Sequence, residues 1–180
     1  MKAKRSGGWN MGRHSVLWIL YGGMALVLLM MQTAPRFFPT IGEARPTPLV
    51  LFAICVAFFE GPQIGAIMGV VTGLLWDLYS FRLFGLNAMI LLVITVTVGL
   101  LVQWLLRANF LSGMLMCVSG VVVYTLGEWL LCYALFMYEE AGKVLWQVYL
   151  PNALYTIALS PLMYWCVLGV ARFLRRRQKK

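Results

Sequence analysis

The chain has 180 residues, of which 62% are hydrophobic and only 12% are charged. Its mean hydropathy of +0.82 is too high for a soluble domain and is typical of an integral membrane protein. The net charge of +9 does not indicate nucleic-acid binding, because the basic residues gather at the two ends of the chain, where membrane topology and anionic lipids explain them.

Six apolar segments predict six membrane-spanning helices, since about 20 apolar residues cross the hydrocarbon core of a bilayer. Their predicted bounds are 15–34, 48–60, 62–80, 86–106, 110–138 and 151–174. We therefore predict an all-α integral membrane protein, a six-helix transmembrane bundle that forms one polytopic domain. Strands of a membrane barrel would alternate apolar and polar residues over about ten positions, and the sequence shows no such alternation.

The distribution of positive charge predicts the orientation in the membrane. Basic segments lie at residues 1–14 and 175–180, and six spans place both on the same side. Most of the 15 lysines and arginines then fall on that side, so we predict that both termini are cytoplasmic. The apolar run before Glu60 is short for a full crossing, so four spans with a re-entrant hairpin remain an alternative. That arrangement also places both termini on one side.

The third segment has the most regular glycine spacing. Gly65, Gly69 and Gly73 recur every four residues and Asp77 continues the step, so all four lie along one stripe of a helix. Small residues at this spacing let another helix backbone approach closely. The stripe either seats a helix of a partner protein or packs against helices of this chain. A carboxylate near the membrane needs a partner, and Arg82 is close enough in sequence to pair with Asp77.

The fifth segment contains a second small-residue series. Gly113, Gly120 and Gly127 repeat every seven residues, which is the spacing of a close-packed helix seam. Glu128 lies next to this seam and deep in the apolar run. It is either hydrogen-bonded inside the bundle or acts in a proton relay or in ligand binding.

The sequence does not indicate catalysis. One histidine, four scattered cysteines and six acidic residues include no HExxH motif, no paired-aspartate repeat and no phosphate-binding glycine loop. We predict no catalytic residue, no cofactor and no metal site. The cysteines all lie in apolar segments, where we expect small core residues rather than disulfide partners: Cys55, Cys117, Cys132 and Cys166.

The region around the third segment resembles the signature of the MreD family, the rod shape-determining membrane proteins of bacteria. The residues that carry the resemblance are Gly61-Pro62, Gly65, Gly69, Gly73-Leu74-Leu75, Asp77, Gly85-Leu86 and Ala88. This motif covers about residues 60–88, whereas the similarity in size and number of spans covers the whole chain.

The resemblance implies a noncatalytic scaffold of the elongation (rod) complex in the bacterial cytoplasmic (inner) membrane. It implies binding to an MreC-like single-span protein, alongside the MreB filament, a RodA-type polymerase and its transpeptidase. Contacts with membrane lipids and a role in lateral peptidoglycan synthesis and cell shape belong to the same expectation.

The family is also similar to the substrate-binding subunits of energy-coupling-factor transporters, which have six helices. A membrane subunit of a small-molecule (vitamin) transporter is therefore the alternative function. That alternative requires a cavity of about 300 Å³ or more with a few convergent polar groups.

Overall fold

A computed structural model describes residues 11–34, 46–80, 84–104, 109–134 and 141–177. These ranges contain helices and no strands, which confirms the predicted all-α class. In chain order the helices are α1 (Met11–Thr33), α2 (Pro48–Glu60), α3 (Pro62–Ser80), α4 (Leu86–Trp104), α5 (Phe110–Trp129, extended by a π-helical turn at Leu130–Ala134) and α6 (Ala141–Val144, a π-helical turn at Leu145–Tyr149, then Leu150–Arg177).

Helix α6 begins before the predicted start at Pro151. A proline inside an α-helix removes one hydrogen bond, and its ring clashes with the carbonyl four residues back. Here a wider π-helical turn precedes the proline, and the Leu150 N–H donates to the Leu145 carbonyl, five residues back. The helix continues through Pro151 instead of starting there, with this wider turn directly before the proline.

Several predicted features lie outside the described residues. They are Arg82, residues 105–106 and 135–138 at the ends of the fourth and fifth segments, and most of the two basic ends. Helix α1 begins at Met11, so the last part of the basic segment 1–14 is helical.

Within the described ranges, four helices are long and apolar enough to cross a membrane. The qualifying stretches are Val16–Thr33, Leu86–Trp104, Phe110–Cys132 and Gly142–Leu174. Helix α2 is apolar but short, and α3 is less hydropathic because three glycines and Asp77 stand in place of large apolar side chains. Length and composition thus support an integral membrane protein, and they support four of the six predicted spans.

Helix α2 lies at the centre of the bundle. All its residues from Pro48 to Phe58 are buried, and it packs against the five other helices. A helix that is apolar on every side needs apolar surroundings, and here other helices of the chain provide them. Helix α2 is therefore buried by other helices of the same chain.

Polar contacts hold α2 at both of its ends. The Tyr21 hydroxyl of α1 donates to Glu60 Oε1 at 2.9 Å. The Thr47 backbone N–H, just before α2, donates to Thr156 Oγ1 of α6 at 3.0 Å. We call the end of the bundle where α3 ends and α4 begins the Asp77 end, and the opposite end, where α2 ends and α3 begins, the Pro62 end.

Candidate functional site

Asp77 is buried in the last turn of α3, with only 3% of its surface exposed. Its carboxylate accepts hydrogen bonds from the residues that begin α4. The Gly85 N–H donates to Oδ2 at 3.0 Å, and the Asn87 amide Nδ2 donates to Oδ1 at 2.7 Å. The backbone N–H groups of Asn87 and Ala88 donate at 3.3 Å each.

This carboxylate caps a helix that is not its own. The first N–H groups of any helix lack intrahelical acceptors, and the helix dipole favours negative charge beside them. Gly85, just before α4, has a φ of +92°, a conformation that side chains disfavour, and this turn directs its N–H toward Asp77. Asp77 therefore has the partners that a buried carboxylate requires.

The hydrogen-bond network extends from Asp77 to a third helix. The Asn87 amide nitrogen donates a hydrogen bond to Asp77. The Asn87 Oδ1 accepts one from the Tyr124 hydroxyl of α5 at 2.8 Å. Asn87 and Tyr124 are 1% and 3% exposed. Asp77, Asn87 and Tyr124, which we call the polar latch, thus join α3, α4 and α5. In the described part of the chain, no buried side-chain nitrogen or oxygen lacks a hydrogen-bond partner.

The glycines of α3 lie against backbone of the same chain. A Cβ at Gly65 would lie 2.7 Å from Ala57 Cα of α2, and one at Gly73 would lie 2.6 Å from the Ala88 nitrogen of α4. At Gly69 it would lie 2.5 Å from Thr95 Oγ1 and 3.0 Å from the Leu91 carbonyl oxygen. The stripe is therefore already covered by α2 and α4.

The α5 series faces side chains instead. A Cβ at Gly113 would lie 3.0 Å from Cδ2 of the Tyr164 ring, and one at Gly120 would lie 2.6 Å from Ile54 Cδ1. At Gly127 the nearest atom is Ile90 Cγ2 at 3.6 Å, an ordinary van der Waals distance. These glycines make room for side chains of α6, α2 and α4.

Glu128 lies outside the polar latch and lines a cavity at the Asp77 end. The cavity has a volume of about 390 Å³, and Tyr124, Trp76, Tyr79 and Asn152 also line it. Glu128 is half-buried, so the structure does not place it in the core beside Asp77. The predicted Asp77–Arg82 pair remains a prediction because Arg82 lies outside the described residues.

A comparison with known protein families shows which family the chain belongs to. The family model described as rod shape-determining protein MreD matches residues 13–174, nearly the whole chain. This chain belongs to the MreD family. No curated protein and no solved structure matches it, so the implied likeness to energy-coupling-factor transporter subunits gains no support from a solved structure.

Membership of the MreD family associates the chain with rod shape determination. In this MreD-family chain Asp77 joins α3 to the start of α4, since its carboxylate already accepts four hydrogen bonds from the protein. Across the described ranges no group of three or more His, Cys, Asp or Glu side chains could hold a metal ion. A ligand of Asp77 would have to displace the N-terminus of α4.

Sequence reasoning missed two residues of this MreD-family site: Asn87 and Tyr124. An amide in the first turn of an otherwise apolar helix is a usable signal for Asn87, because it must find a partner in the membrane. Tyr124 lies one turn before Gly127 in the seam, yet an aromatic residue at that spacing also fits a plain core. At the opposite end of the bundle it also missed Gly99 of α4, where a Cβ would lie 2.6 Å from the Pro62 nitrogen. Thr95 lies four residues before Gly99, and this small-residue spacing is a usable signal.

Proposed function

We propose that this MreD-family protein is a noncatalytic membrane scaffold of the elongation complex, which binds an MreC-like single-span protein and helps to organise lateral peptidoglycan synthesis. The observation that carries the proposal is the family match over residues 13–174. The bundle supports it in a physical sense, since a closely packed set of helices offers a rigid surface to another membrane helix.

The partner span needs a surface that this chain leaves uncovered. Since α2 and α4 already occupy the α3 stripe, we place the partner on the outward face of α1. Ile19 and Met30 on that face are 72% and 73% exposed, and Gly23 between them has nothing within 4 Å of the position of a Cβ. An outward glycine in a membrane helix leaves a notch that allows close approach of another backbone.

Helix α1 also has the most room for a partner. It packs mainly against α2 and to a smaller extent against α3, whereas the other long helices have more extensive neighbours within the chain. A partner helix on α1 would complete its packing without displacing a helix of this chain. This argument favours α1 over α5, because α5 already packs against α2, α4 and α6 of the same chain.

We further propose that the Pro62 end faces the cytoplasm. The positive-inside rule favours this orientation because both basic segments, 1–14 and 175–180, then lie on the cytoplasmic side. The basic ends would lie within reach of cytoplasmic components of the complex, among them the MreB filament. The polymerase and its transpeptidase would be recruited through the same membrane assembly.

Photo-crosslinking to a tagged MreC-like protein from the same cell tests the proposed surface. A photoreactive amino acid replaces Ile19 or Met30 on α1, and Leu111 or Leu115 on α5 serves as the matched lipid-facing control, at 79% and 60% exposed. We expect adducts from the α1 positions and none from the α5 positions. Adducts from α5 alone would show that the partner binds α5 and not α1. Failure of the two proteins to co-purify in mild detergent would contradict the scaffold proposal itself.

A further inference from the structure

The Pro62 end holds a second cavity, with a volume of about 510 Å³, between α2, α5 and α6. Its walls are mostly aromatic and come from Phe58, Phe59, Phe110, Tyr164 and Trp165. Phe110 and Trp165 are 48% and 59% exposed, so the aromatic wall continues to the outer surface of the bundle.

Ring contacts hold these walls in place. The Tyr164 ring centroid lies 5.1 Å from that of Phe59 and 5.1 Å from that of Phe110, the latter in a T-shaped contact. Gly113 lies behind the Tyr164 ring, where a side chain would collide with it. Aromatic pairs at these distances stabilise each other beyond their buried area, so the cavity has a preformed apolar wall.

Of the residues that the structure describes, one with a positive charge lines this cavity. Arg172 of α6 is the charged residue that lines the cavity, and Asn109 is its polar neighbour. No described carboxylate lines the cavity: Glu60 accepts from Tyr21, while Asp77 lies at the opposite end of the bundle. The same helix continues to Arg177, and its last turn contains three consecutive arginines in the sequence.

We propose that this cavity binds an anionic phospholipid of the surrounding leaflet, with the phosphate at Arg172 and an acyl chain along the aromatic walls. An apolar wall beside an uncompensated cation complements an amphipathic anion. A guanidinium donates paired hydrogen bonds to phosphate oxygens, and its long stem lets the charge reach the headgroup layer.

The position of the cavity along α6 fits a lipid. The apolar stretch Gly142–Leu174 has 33 residues. A helix of that length is about 50 Å long, which exceeds a hydrocarbon core of about 30 Å. Arg172 lies near the end of this stretch, where headgroups are within reach. The cavity at the Asp77 end has Glu128 in its lining and no described arginine or lysine.

Native mass spectrometry of the purified chain tests the charge requirement. The protein in detergent receives equimolar phosphatidylglycerol and phosphatidylethanolamine, and the lipid-bound fraction is measured for each. We expect selective retention of phosphatidylglycerol and a loss of about tenfold in its bound fraction for Arg172→Gln. Lys143→Gln removes an exposed cation at the other end of the bundle and should retain the wild-type fraction.

A second pair of variants separates a cavity from general attraction to a basic surface. Trp165→Ala removes a wall of the cavity, whereas Trp104→Ala removes an indole of α4 that is 82% exposed and lies outside the cavity. We expect only Trp165→Ala to lower the retention of phosphatidylglycerol. Equal retention of the two lipids, or equal losses for either matched pair, would overturn the proposal. The test uses the chain alone, so its outcome is independent of the proposed MreC-like partner.

Discussion

The chain contains two glycine series, each followed by an acidic residue, and the two series contact different parts of the neighbouring helices. The α3 series of Gly65, Gly69 and Gly73 lies against backbone and Thr95 of neighbouring helices, and it leads to Asp77, which is buried in the polar latch. The α5 series of Gly113, Gly120 and Gly127 lies against side chains and leads to Glu128, which lines a cavity.

The comparison teaches what a glycine repeat does and does not specify. A helix backbone cannot yield without moving the whole helix, whereas the far end of an isoleucine side chain adopts another rotamer at small cost. The α3 series therefore sets the distance between α3 and α4, and the α5 series makes room for individual side chains. We expect substitutions in the two series to differ in their effect on stability.

The largest effect should come from Asp77, and the acidic residue of the other series, Glu128, should contribute much less. Asp77→Ala removes the acceptor of four hydrogen bonds at the start of α4, and the loss in the free energy of unfolding should be about 4 kcal/mol. Glu128→Ala, at a half-buried residue, should cost about 1 kcal/mol. Unfolding titrations with SDS in mixed micelles measure both values. Equal losses of unfolding free energy for the two variants would mean that Asp77 and Glu128 do not differ in their contribution to stability.

Gly73→Ala should have the next largest effect, about 3 kcal/mol, because the new methyl group meets the α4 backbone. Its Cβ would lie 2.6 Å from the Ala88 nitrogen, so α3 and α4 must separate. Gly142→Ala in α6 is the matched control, since nothing lies within 4 Å of its Cβ position. The same SDS titration serves here, and wild-type stability for Gly73→Ala would show that α3 and α4 are not closely packed.

Tyr124→Phe tests the point at which the two regions meet, since this α5 residue completes the polar latch. Loss of the hydroxyl that donates to Asn87 Oδ1 at 2.8 Å should cost about 1.5 kcal/mol. Tyr79→Phe, at a residue that is 46% exposed, is the control for removing a phenolic hydroxyl group and should be close to neutral. A double-mutant cycle with Asn87→Ala should show coupling; additive losses would mean that the two side chains do not interact.

Gly127→Ala should have the smallest effect, within about 0.5 kcal/mol of the wild type. Its Cβ would lie 3.6 Å from Ile90 Cγ2, an ordinary contact, and alanine is the better helix former. Thermal unfolding in detergent compares it with Gly73→Ala in one experiment. A large loss for Gly127→Ala would indicate that the α5 series also packs against backbone.

The sequence was sufficient to place the α3 stripe on one helix face, because the period of an α-helix decides which residues share a face. It did not decide what covers that face, since the same small residues suit a helix of the same chain and a helix of a partner. The acceptor role of Asp77 was equally hidden. One donor, the Asn87 amide, is visible in the sequence, but the sequence does not say which acceptor it meets. The other donors are backbone N–H groups, which nearly every residue type has.

The same limit applies to α2 and α6. Eleven apolar residues before Glu60 are too few to decide between a crossing and a re-entrant segment, and only the surrounding helices account for the burial of α2. Pro151 is typical of a helix start, but α6 continues through it, with a π-helical turn directly before it. The sequence shows that Pro151 favours a helix start, but it does not show that a helical turn already precedes it.

The most direct test of an internal α3 stripe is disulfide formation between α3 and α4. In a variant whose four cysteines are replaced by alanine, Gly69→Cys is combined with Thr95→Cys, because a Cβ at Gly69 would lie 2.5 Å from Thr95 Oγ1. Oxidation of the purified chain should give an intramolecular disulfide without any partner protein, while Gly23→Cys with Thr95→Cys should give none. If the first pair stays reduced, and position 69 instead crosslinks to an MreC-like span, the stripe is a partner groove and the account is contradicted.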